Sequence, residues 1–339
     1  MDKKEKAKEK RERRRQEISL LRTIPYSDHR RYVRFDPFKS TKNFLKSAVG
    51  KLHLILRWWS SETVAVVTGA NRGIGFEIVH QLALHGLTVV LTSREAAVGE
   101  EAAKVLQEGG LNVVFHQLDI VNPSSIEAFV DWIKESYGGV DILVNNAGVN
   151  FNSGSDNSME NAENVIRTNY FGTKNMIKAM IPAMRASEPG ARIVNVSSKL
   201  GRLNAKRHRL ENDEWRQKLE NDAQLSEELI DEMVNAFLDQ VNDGTWEDGG
   251  WPPVSTDYSL SKLAVNTYTR LMAREFSDRP EGEKIYINCY CPGWVRTAMT
   301  GWKGNVTPEE GADTAVWLAL LPDQSITGKF FYERHEIHF

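Results

Sequence analysis

The chain has 339 residues, 41% of them apolar, which is enough for one large core or two ordinary ones. Its net charge of -3 hides an asymmetry: residues 1–60 carry 18 Lys and Arg against 7 Asp and Glu, and the remainder carries 25 against 39. Neither a secretory signal nor an apolar run that could span a bilayer is visible, and no His spacing is typical of a metal site. The sequence therefore predicts a soluble cytoplasmic protein with no membrane span and no metal.

Residues 1–60 are predicted to form a basic, poorly ordered extension. Lys, Arg and Glu alternate over residues 3–17 with almost nothing to bury, and Pro25 and Pro37 interrupt the remainder of the extension. A solvated tail and a surface that grips RNA or an acidic membrane both remain open. The seven interleaved acidic residues favour the tail, so we expect no nucleic-acid partner.

From Thr63 onwards, short runs rich in β-branched residues alternate with helical segments. The predicted strands are 63–68, 88–92, 112–117, 141–145, 192–197, 284–290 and 329–331. The helices predicted between them are 74–85, 96–108, 124–137, 162–186, 257–276 and 308–321. Continuous apolar strands alternating with helices predict a parallel sheet covered on both faces. With right-handed crossovers this is a Rossmann-type, doubly wound α/β fold in a single domain over residues 61–339.

One segment interrupts this alternation. Between Ser198 and Tyr258 lie 59 residues, and we assign residues 199–257 to a helical insertion. After a predicted N-cap at Ser226, apolar residues recur at helical spacing. They indicate an amphipathic helix packed on the body, and the set is Leu225, Leu229, Ile230, Met233, Phe237 and Val241.

A glycine-rich turn directly follows the first predicted strand and opens the first helix. Its sequence is TGANRGIG over residues 68–75, with G-x3-G-x-G spacing rather than G-x-G-x-x-G. Glycines permit a tight turn and a close backbone approach, and the helix N-terminus offers N–H groups to a pyrophosphate. The predicted cofactor-binding residues here are Gly69, Asn71, Arg72, Gly73, Ile74 and Gly75.

The end of the second strand indicates which dinucleotide is bound. An NAD enzyme places a carboxylate there to hold the ribose 2′-hydroxyl. This chain has Ser93 and Arg94 instead, and Arg72 adds a second cation from the glycine turn. Two guanidinium groups without a carboxylate favour a 2′-phosphate, so the sequence predicts NADP(H).

Tyr258 and Lys262 carry the strongest chemical signal. Four residues on a helix make a little over one turn, so the phenol and the ammonium share one face. A neighbouring cation favours the phenolate and lowers the pKa of a tyrosine towards working pH, as a proton donor requires. Upstream, the sequence NNAG at 145–148 ends the fourth strand with small residues and amides that suit a wall against a cofactor.

In this order and approximate spacing, TGANRGIG, NNAG, VNVSS, YSLSK and CPGWVRT resemble the short-chain dehydrogenase/reductase family over residues 63–331. The insertion and the wording GTWEDGGWPP are further similar to the monomeric carbonyl reductases and to plant menthone/neomenthol and salutaridine reductases. The resemblance implies a catalytic tetrad of Asn169, Ser198, Tyr258 and Lys262. Ser198 is chosen over Ser197 because it stands three residues before Gly201, as in the family's SSxxG.

The same resemblance implies further cofactor contacts. Asp119 matches the position that contacts adenine, and Tyr258 and Lys262 also face the nicotinamide ribose. The remaining predicted contacts are Asn146, Ala147, Gly148, Pro292, Gly293, Val295 and Thr297.

These residues predict NADPH-dependent reduction of a small apolar ketone or aldehyde. Two alternatives remain: NADP-dependent oxidation of a secondary alcohol, which uses the same groups, and a non-catalytic scaffold, which the intact tetrad argues against. The apolar stripe of the insertion should cover the helix that carries Tyr258 and the helix before it. Since short family members pair through those helices, we expect a monomer.

Overall fold

A computed structural model of the chain describes residues 57–151, 158–204, 210–322 and 325–339. The sheet lies in a compact unit made of Trp59–Ala319 and Gln324–Phe339. A second unit, Met1–Trp58 with Leu320–Asp323, falls mostly outside the described residues. The predicted extension of residues 1–60 lies almost wholly outside them too.

Eight strands form one sheet in the described part of the chain, in the order β3-β2-β1-β4-β5-β6-β7-β8. Neighbouring strands are parallel except for β7 and β8, which pair antiparallel. The strand bounds, from β1 to β8, are Val64–Val67, Thr88–Ser93, Val113–Gln117, Ile142–Asn145, Ala191–Val196, Ile285–Cys291, Phe330–Tyr332 and His335–Ile337.

Nine α-helices connect and flank these strands in the same described ranges. From α1 to α9 they are Gly73–Leu84, Ala96–Glu108, Pro123–Tyr137, Met159–Ile166, Thr173–Met180, Asp213–Glu220, Glu227–Asp243, Thr256–Glu275 and Pro308–Leu320. Strands β1, β2, β4, β5 and β6 are buried along their whole length, as expected for a parallel sheet with helices on both faces. The Rossmann-type fold predicted from the alternation is therefore confirmed.

Two elements differ from the sequence prediction. The single helix predicted over 162–186 is wrong: it begins at Met159 and is interrupted by a π-helical turn, Arg167–Gly172, between α4 and α5. The sequence also missed β8, a short strand at the sheet edge. Its residues are partly or fully exposed, so it lacks the apolar signal that marked the buried strands.

The insertion contains the helix that its apolar spacing predicts, and this helix is α7. The Ser226 hydroxyl accepts a hydrogen bond from the Leu229 N–H at 3.2 Å, so Ser226 is the N-cap. Ile230, Met233 and Phe237 are fully buried, and α7 packs against α4 and α8. A second, shorter helix in the insertion, α6, was not predicted from the sequence.

Candidate active site

The predicted site residues gather where the strand order reverses. Strand β1 lies between β2 and β4, so the chain connects outwards from β1 to β2 and β3 on one side of the sheet and continues from β4 to β5 and β6 on the other. A crevice opens at such a point beyond the carboxyl ends of the strands, where ligands of doubly wound folds bind. The glycine turn follows β1, the NNAG segment follows β4, and Ser198 follows β5.

The glycine turn after β1 is shaped for a close backbone approach. Gly69 has a φ of 60° and lies against the loop after β4, since a Cβ added at Gly69 would stand 2.8 Å from the Ala147 Cα. Helix α1 begins at Gly73 with no side chain capping its N-terminus and no acidic residue in its first turn. Uncapped N–H groups at a helix N-terminus suit a pyrophosphate, so the geometry of the turn fits a dinucleotide.

The NNAG segment holds the glycine turn in place through hydrogen bonds. The Asn146 side-chain amide donates to the carbonyls of Thr68 and Gly69 at 2.9 and 3.0 Å. The Thr68 hydroxyl accepts from the backbone N–H groups of Asn146 and Ala147, both at 3.0 Å. Asn146 therefore fixes the turn through its side-chain nitrogen.

Of the two cations predicted to bind a 2′-phosphate, Arg72 lies in the glycine turn and Arg94 lies beside it. The Ala70 N–H donates to the Thr92 carbonyl at 2.8 Å, which joins the turn to the end of β2. Arg94 is exposed and its side chain stands 3.4 Å from Glu95, and Arg72 is exposed as well. Ser93 is buried and donates to the Glu95 carbonyl at 2.8 Å, so its side chain points into the protein.

Asp119 lies in the loop after β3, beside the end of β2 where Arg94 lies. Its backbone N–H donates to the Ser125 hydroxyl at 3.0 Å, and its carboxylate accepts from the Val121 N–H at 3.1 Å. The residue is partly exposed. The predicted adenine contact is thus held in one orientation by its own loop.

Tyr258 and Ser198 meet at the carboxyl end of β5. Burial is the largest influence on the Tyr258 phenol and raises its pKa. The nearby Cys291 acts in the same direction, whereas the Ser198 hydroxyl lowers the pKa by a smaller amount. The neighbouring Ser197 faces away, because its hydroxyl donates to the Lys262 carbonyl at 3.3 Å. Of the two serines, only Ser198 faces the phenol.

Lys262 is buried one helical turn beyond Tyr258 on α8. Its ammonium donates to the Val196 carbonyl at 2.9 Å and lies 5.6 Å from the centroid of the Tyr258 ring. Burial lowers the pKa of Lys262 to about 8, and the neighbouring Cys291 and Cys289 act in the opposite direction. The sequence predicted that Lys262 would lower the pKa of Tyr258, but in the protein alone burial dominates and the net shift is upward.

Asn169 lies in the π-helical turn and its side chain bridges two elements of the site. The amide donates to the Val149 carbonyl at 2.9 Å and to the Ser261 hydroxyl at 3.0 Å, and its oxygen accepts from the Val149 N–H at 2.8 Å. A Cβ at Gly148 would stand 3.1 Å from that oxygen and 3.6 Å from the Lys262 Nζ. Asn169 thus connects the loop after β4 with α8, between Tyr258 and Lys262.

The loop after β6 stands over the glycine turn. Its base is closed by bonds from the Val306 N–H to the Trp294 carbonyl at 3.1 Å and from the Arg296 N–H to the Val306 carbonyl at 2.8 Å. A Cβ at Gly73 would lie 3.3 Å from the Thr297 methyl group, so this predicted contact residue touches the turn. Of the other predicted contacts in the loop, Val295 is buried, and Pro292 and Gly293 are partly exposed.

Three exposed apolar side chains project from the same loop. Trp294, Met299 and Trp302 are 55%, 46% and 67% exposed. Trp302 also has a φ of 62°, a left-handed conformation that is rare for a bulky residue and concentrated at functional sites. Large apolar groups at the mouth of a crevice are typical of a binding surface for an apolar ligand.

Sequence reasoning missed two residues that support the site, Thr68 and Ser261. Thr68 belongs to the motif TGANRGIG, and a hydroxyl directly before the first glycine was the available signal. Ser261 accepts from Asn169 and donates to the Tyr258 carbonyl at 2.7 Å. Its place between Tyr258 and Lys262 gave no signal, because serine is common on any helix surface.

Two classes of site or element are absent from the described ranges. No group of three or more His, Cys, Asp or Glu side chains there is arranged to hold a metal ion. No helix in those ranges is both long and apolar enough to cross a membrane.

Comparison with known proteins places the chain in a family. A family model described as short chain dehydrogenase matches residues 63–208. Carbonyl reductase (NADPH) 1 from Mus musculus is 42% identical over 265 residues, 78% of this chain and 92% of that protein. The structure of salutaridine reductase from Papaver somniferum matches with 38% identity and a TM-score of 0.72, over 80% of this chain and 99% of its own. The structure of menthone neomenthol reductase from Mentha piperita matches with 34% identity and a TM-score of 0.70, over 81% of this chain and 99% of its own.

The chain therefore belongs to the short-chain dehydrogenase family of oxidoreductases. The resemblance drawn from its motifs is confirmed, including the similarity to carbonyl reductases and to the two plant reductases.

Proposed function

We propose that this protein is an NADPH-dependent carbonyl reductase, which converts a ketone or an aldehyde to the alcohol. The observation that carries the proposal is the buried Lys262, one turn beyond Tyr258 on α8, whose ammonium lies 5.6 Å from the centroid of the Tyr258 ring, with Ser198 on the side of the phenol. This group lies at the same edge of the sheet as the uncapped N-terminus of α1. A proton donor therefore stands beside a site that fits a dinucleotide.

The chemistry depends on the protons and charges that these side chains can hold and move. Bound NADPH would supply the hydride to the carbonyl carbon. As hydride arrives, negative charge grows on the carbonyl oxygen, where Tyr258 donates its proton and Ser198 donates a hydrogen bond. Burial keeps the phenol protonated until that charge develops, because it raises the pKa of Tyr258. The Lys262 ammonium lies on the same face of α8 and favours the phenolate that remains.

Asn169 supports this arrangement by its side-chain bridge. Both amide protons are used by Val149 and Ser261, so the side chain holds the loop after β4 against α8. We expect Asn169 to hold the water that resupplies the proton, and π-helical turns such as the one around it occur frequently at functional sites.

The choice of NADPH rests on charge. Arg72 is the N-cap residue of α1 and Arg94 follows β2; the glycine turn and the end of β2 are joined through Ala70 and Thr92, and no carboxylate takes the place of Ser93. An anionic 2′-phosphate matches two guanidinium groups, whereas a 2′-hydroxyl does not need them. Carbonyl reductase (NADPH) 1, which carries this cofactor in its name, supports the assignment.

The substrate is expected to be apolar and carried at the mouth formed by the loop after β6, where Trp294 and Trp302 are exposed. We further propose a cytoplasmic monomer whose reductase domain covers residues 61–339, with the insertion at 199–257 and a basic extension at 1–60. The buried thiols of Cys289 and Cys291, which form no disulfide, suit a reducing compartment.

A substrate screen of the full chain tests the function. Ketones and aldehydes of increasing apolar size are offered with NADPH and, separately, with NADH, and secondary alcohols are offered with NADP⁺. We expect oxidation of NADPH with at least one carbonyl compound and much weaker use of NADH. A protein that binds NADPH but turns over none of these compounds would refute the proposal.

A further inference from the structure

A network of charged and phenolic side chains joins the insertion to the body of the protein. Its centre is Asp231 on α7, whose carboxylate accepts a hydrogen bond from the Tyr170 hydroxyl at 2.7 Å. The same carboxylate accepts two bonds from the Lys174 ammonium, at 2.8 and 2.6 Å. Tyr170 and Lys174 belong to the π-helical turn and to α5, so Asp231 bonds both from a separate element.

Glu227, one turn before Asp231 on α7, forms the other half of the network. Its carboxylate lies 3.3 Å from the Lys174 ammonium and 2.9 Å from the Lys178 ammonium. The Tyr268 hydroxyl on α8 donates to it at 3.5 Å. Two carboxylates thus balance two ammonium groups.

The network is largely buried, so the loss of one charge leaves its partner in a poorly solvated environment. The Lys174 side chain is only 8% exposed, and Tyr170 is fully buried. A buried ammonium is costly unless it is paired, so loss of the Asp231 charge leaves Lys174 with Glu227 alone. Asp231 therefore constrains where Tyr170 and Lys174 can lie.

Tyr170 directly follows Asn169, and both lie in the π-helical turn Arg167–Gly172. A π turn inserts an extra residue into an α-helical path, is rare, and occurs frequently at functional sites. Asn169 reaches inward to Val149 and Ser261, while Tyr170 reaches to Asp231. The two residues connect the turn to the site on one side and to the insertion on the other.

We propose that Asp231 is a positioning residue for Asn169. By holding the Tyr170 hydroxyl and the Lys174 ammonium, it fixes the π-helical turn from which Asn169 bridges the loop after β4 and α8. This inference rests on the proposed function, because the role of Asn169 in catalysis belongs to it. The insertion is then part of the active-site support as well as a cover over α4 and α8.

The alternative is that the network only docks α7 on the body. Substitutions in the network would then lower thermal stability, and turnover per folded molecule would not change. Two matched pairs of variants of the full chain separate these roles. Asp231→Asn removes a charge at the network, and Glu232→Gln removes the same charge from the next, exposed residue of α7. Tyr170→Phe removes a hydroxyl bonded to Asp231, and Tyr268→Phe removes one bonded to Glu227.

Each variant is assayed for kcat, for the Kd of NADPH and for thermal midpoint. Hydrogen–deuterium exchange is followed in peptides that cover residues 167–172. We expect Asp231→Asn and Tyr170→Phe to lower kcat at least about fivefold. A loss of up to ~10²-fold is possible when a group of the active site is displaced by a small distance. The Kd of NADPH should stay within twofold of the wild-type value. Exchange in the π-helical turn should accelerate in these two variants and not in Glu232→Gln or Tyr268→Phe.

Unchanged kcat and unchanged exchange in Asp231→Asn would overturn the proposal, even if its thermal midpoint falls. Equal losses of kcat in Tyr170→Phe and Tyr268→Phe would also overturn it, since a general weakening of the network would then explain both losses. If the wild-type protein lacks reductase activity, the proposed function fails by itself. Exchange in residues 167–172 then decides whether Asp231 orders the turn.

Discussion

Tyr258 and Lys262 share one face of α8, where Lys262 is buried and Tyr258 is partly exposed. The surrounding protein acts on their pKa values in opposite directions. It raises the pKa of the phenol and lowers the pKa of the ammonium to about 8. At neutral pH the phenol is therefore protonated and the lysine still charged, which is the combination that a proton donor to a growing oxyanion requires. The lysine, with the lower pKa, is the first of the two to titrate as pH rises.

We predict that kcat/KM for carbonyl reduction falls as pH rises through about 8. The pKa of Lys262 is lowered in the folded protein, so its ammonium is charged below about 8 and neutral above it. Loss of that charge removes the cation that favours the phenolate, whereas Tyr258 stays protonated over this range. The measurement is a profile of kcat/KM from pH 6 to pH 10 with a ketone that does not itself titrate, because kcat/KM reports the groups of the enzyme form that binds the ketone.

The control for this profile is Lys262→Arg, which keeps a positive charge at every pH in the range. Its residual activity should show no alkaline limb near pH 8. A limb that persists in Lys262→Arg would assign the titration to another group, such as one of the two thiols beside Lys262.

Arg94 is predicted to carry much of the preference for NADPH. Its side chain is exposed beside the glycine turn, where Arg94→Gln removes a cation without disturbing a buried contact. The KM for NADPH should rise about tenfold, which corresponds to the lower end of the free energy that a charge-assisted hydrogen bond contributes. The KM for NADH should change little. Lys104→Gln on α2 removes an equally exposed charge and should leave both values unchanged. A wild-type protein that already prefers NADH would contradict the assignment of the cofactor.

At the scale of elements, the loop after β6 combines a closed base with an exposed aromatic tip. Bonds between Trp294, Arg296 and Val306 close the base, and the Thr300 hydroxyl donates to the Val295 carbonyl at 2.6 Å. Trp302 follows this anchored part in a left-handed conformation. Such a conformation costs about 1–2 kcal/mol in a residue with a Cβ, and here it leaves an indole facing solvent.

We therefore predict that Trp302 contributes to binding of large apolar substrates. Trp302→Ala and Trp302→Gly both remove the indole and should raise the KM for a bulky apolar ketone about tenfold, while the KM for a small ketone stays unchanged. Glycine also relieves the left-handed backbone, so Trp302→Gly should be more stable than Trp302→Ala by about 1 kcal/mol. Equal KM values for the bulky ketone in wild type and both variants would exclude a binding role for this side chain.

The elements that the sequence predicted are those with a strong local signal. Helix α7 was predicted because Ser226 caps a regular apolar stripe, and the buried strands were predicted by their β-branched runs. The π-helical turn around Asn169 could not be predicted, since Arg167–Gly172 has the sequence of an ordinary helix. Strand β8 has exposed polar residues and forms only because β7 is there to pair with it.

The same division applies inside the candidate site. The residue types and their spacing pointed to Tyr258, Lys262 and Ser198, because the reaction requires these side chains and they stand in short sequence motifs. The contacts that orient these residues come from distant parts of the chain and left no pattern. Lys262 bonds the Val196 carbonyl, and Asn169 bonds Val149 and Ser261.

At the scale of the whole molecule, the insertion covers apolar helix faces that would otherwise be exposed. Helix α7 buries Ile230, Met233 and Phe237 against the body, and it packs on α4 and α8 as its sequence predicted. The salt bridges of Lys174 with Glu227 and Asp231 hold it there. A partner subunit using the same faces of α4 and α8 would have to displace it.

We predict a monomer in solution, with a mass near 38.4 kDa for the full chain. Light scattering coupled to gel filtration measures the mass directly. The comparison with a chain limited to residues 61–339 separates the body from any association through the extension. A dimer of residues 61–339 would contradict the covering role of α7, whereas a dimer found only in the full chain would place the contact in residues 1–60.

The central claim is that Tyr258 donates the proton while other residues hold the cofactor. Its most direct test is Tyr258→Phe, with NADPH binding and single-turnover reduction of a ketone measured on the same preparation. We expect the Kd of NADPH to stay within about threefold, since the glycine turn and the arginines remain, and the rate of reduction to fall by ~10²–10⁴-fold. A variant that binds NADPH and keeps more than about a hundredth of the wild-type rate would contradict the account.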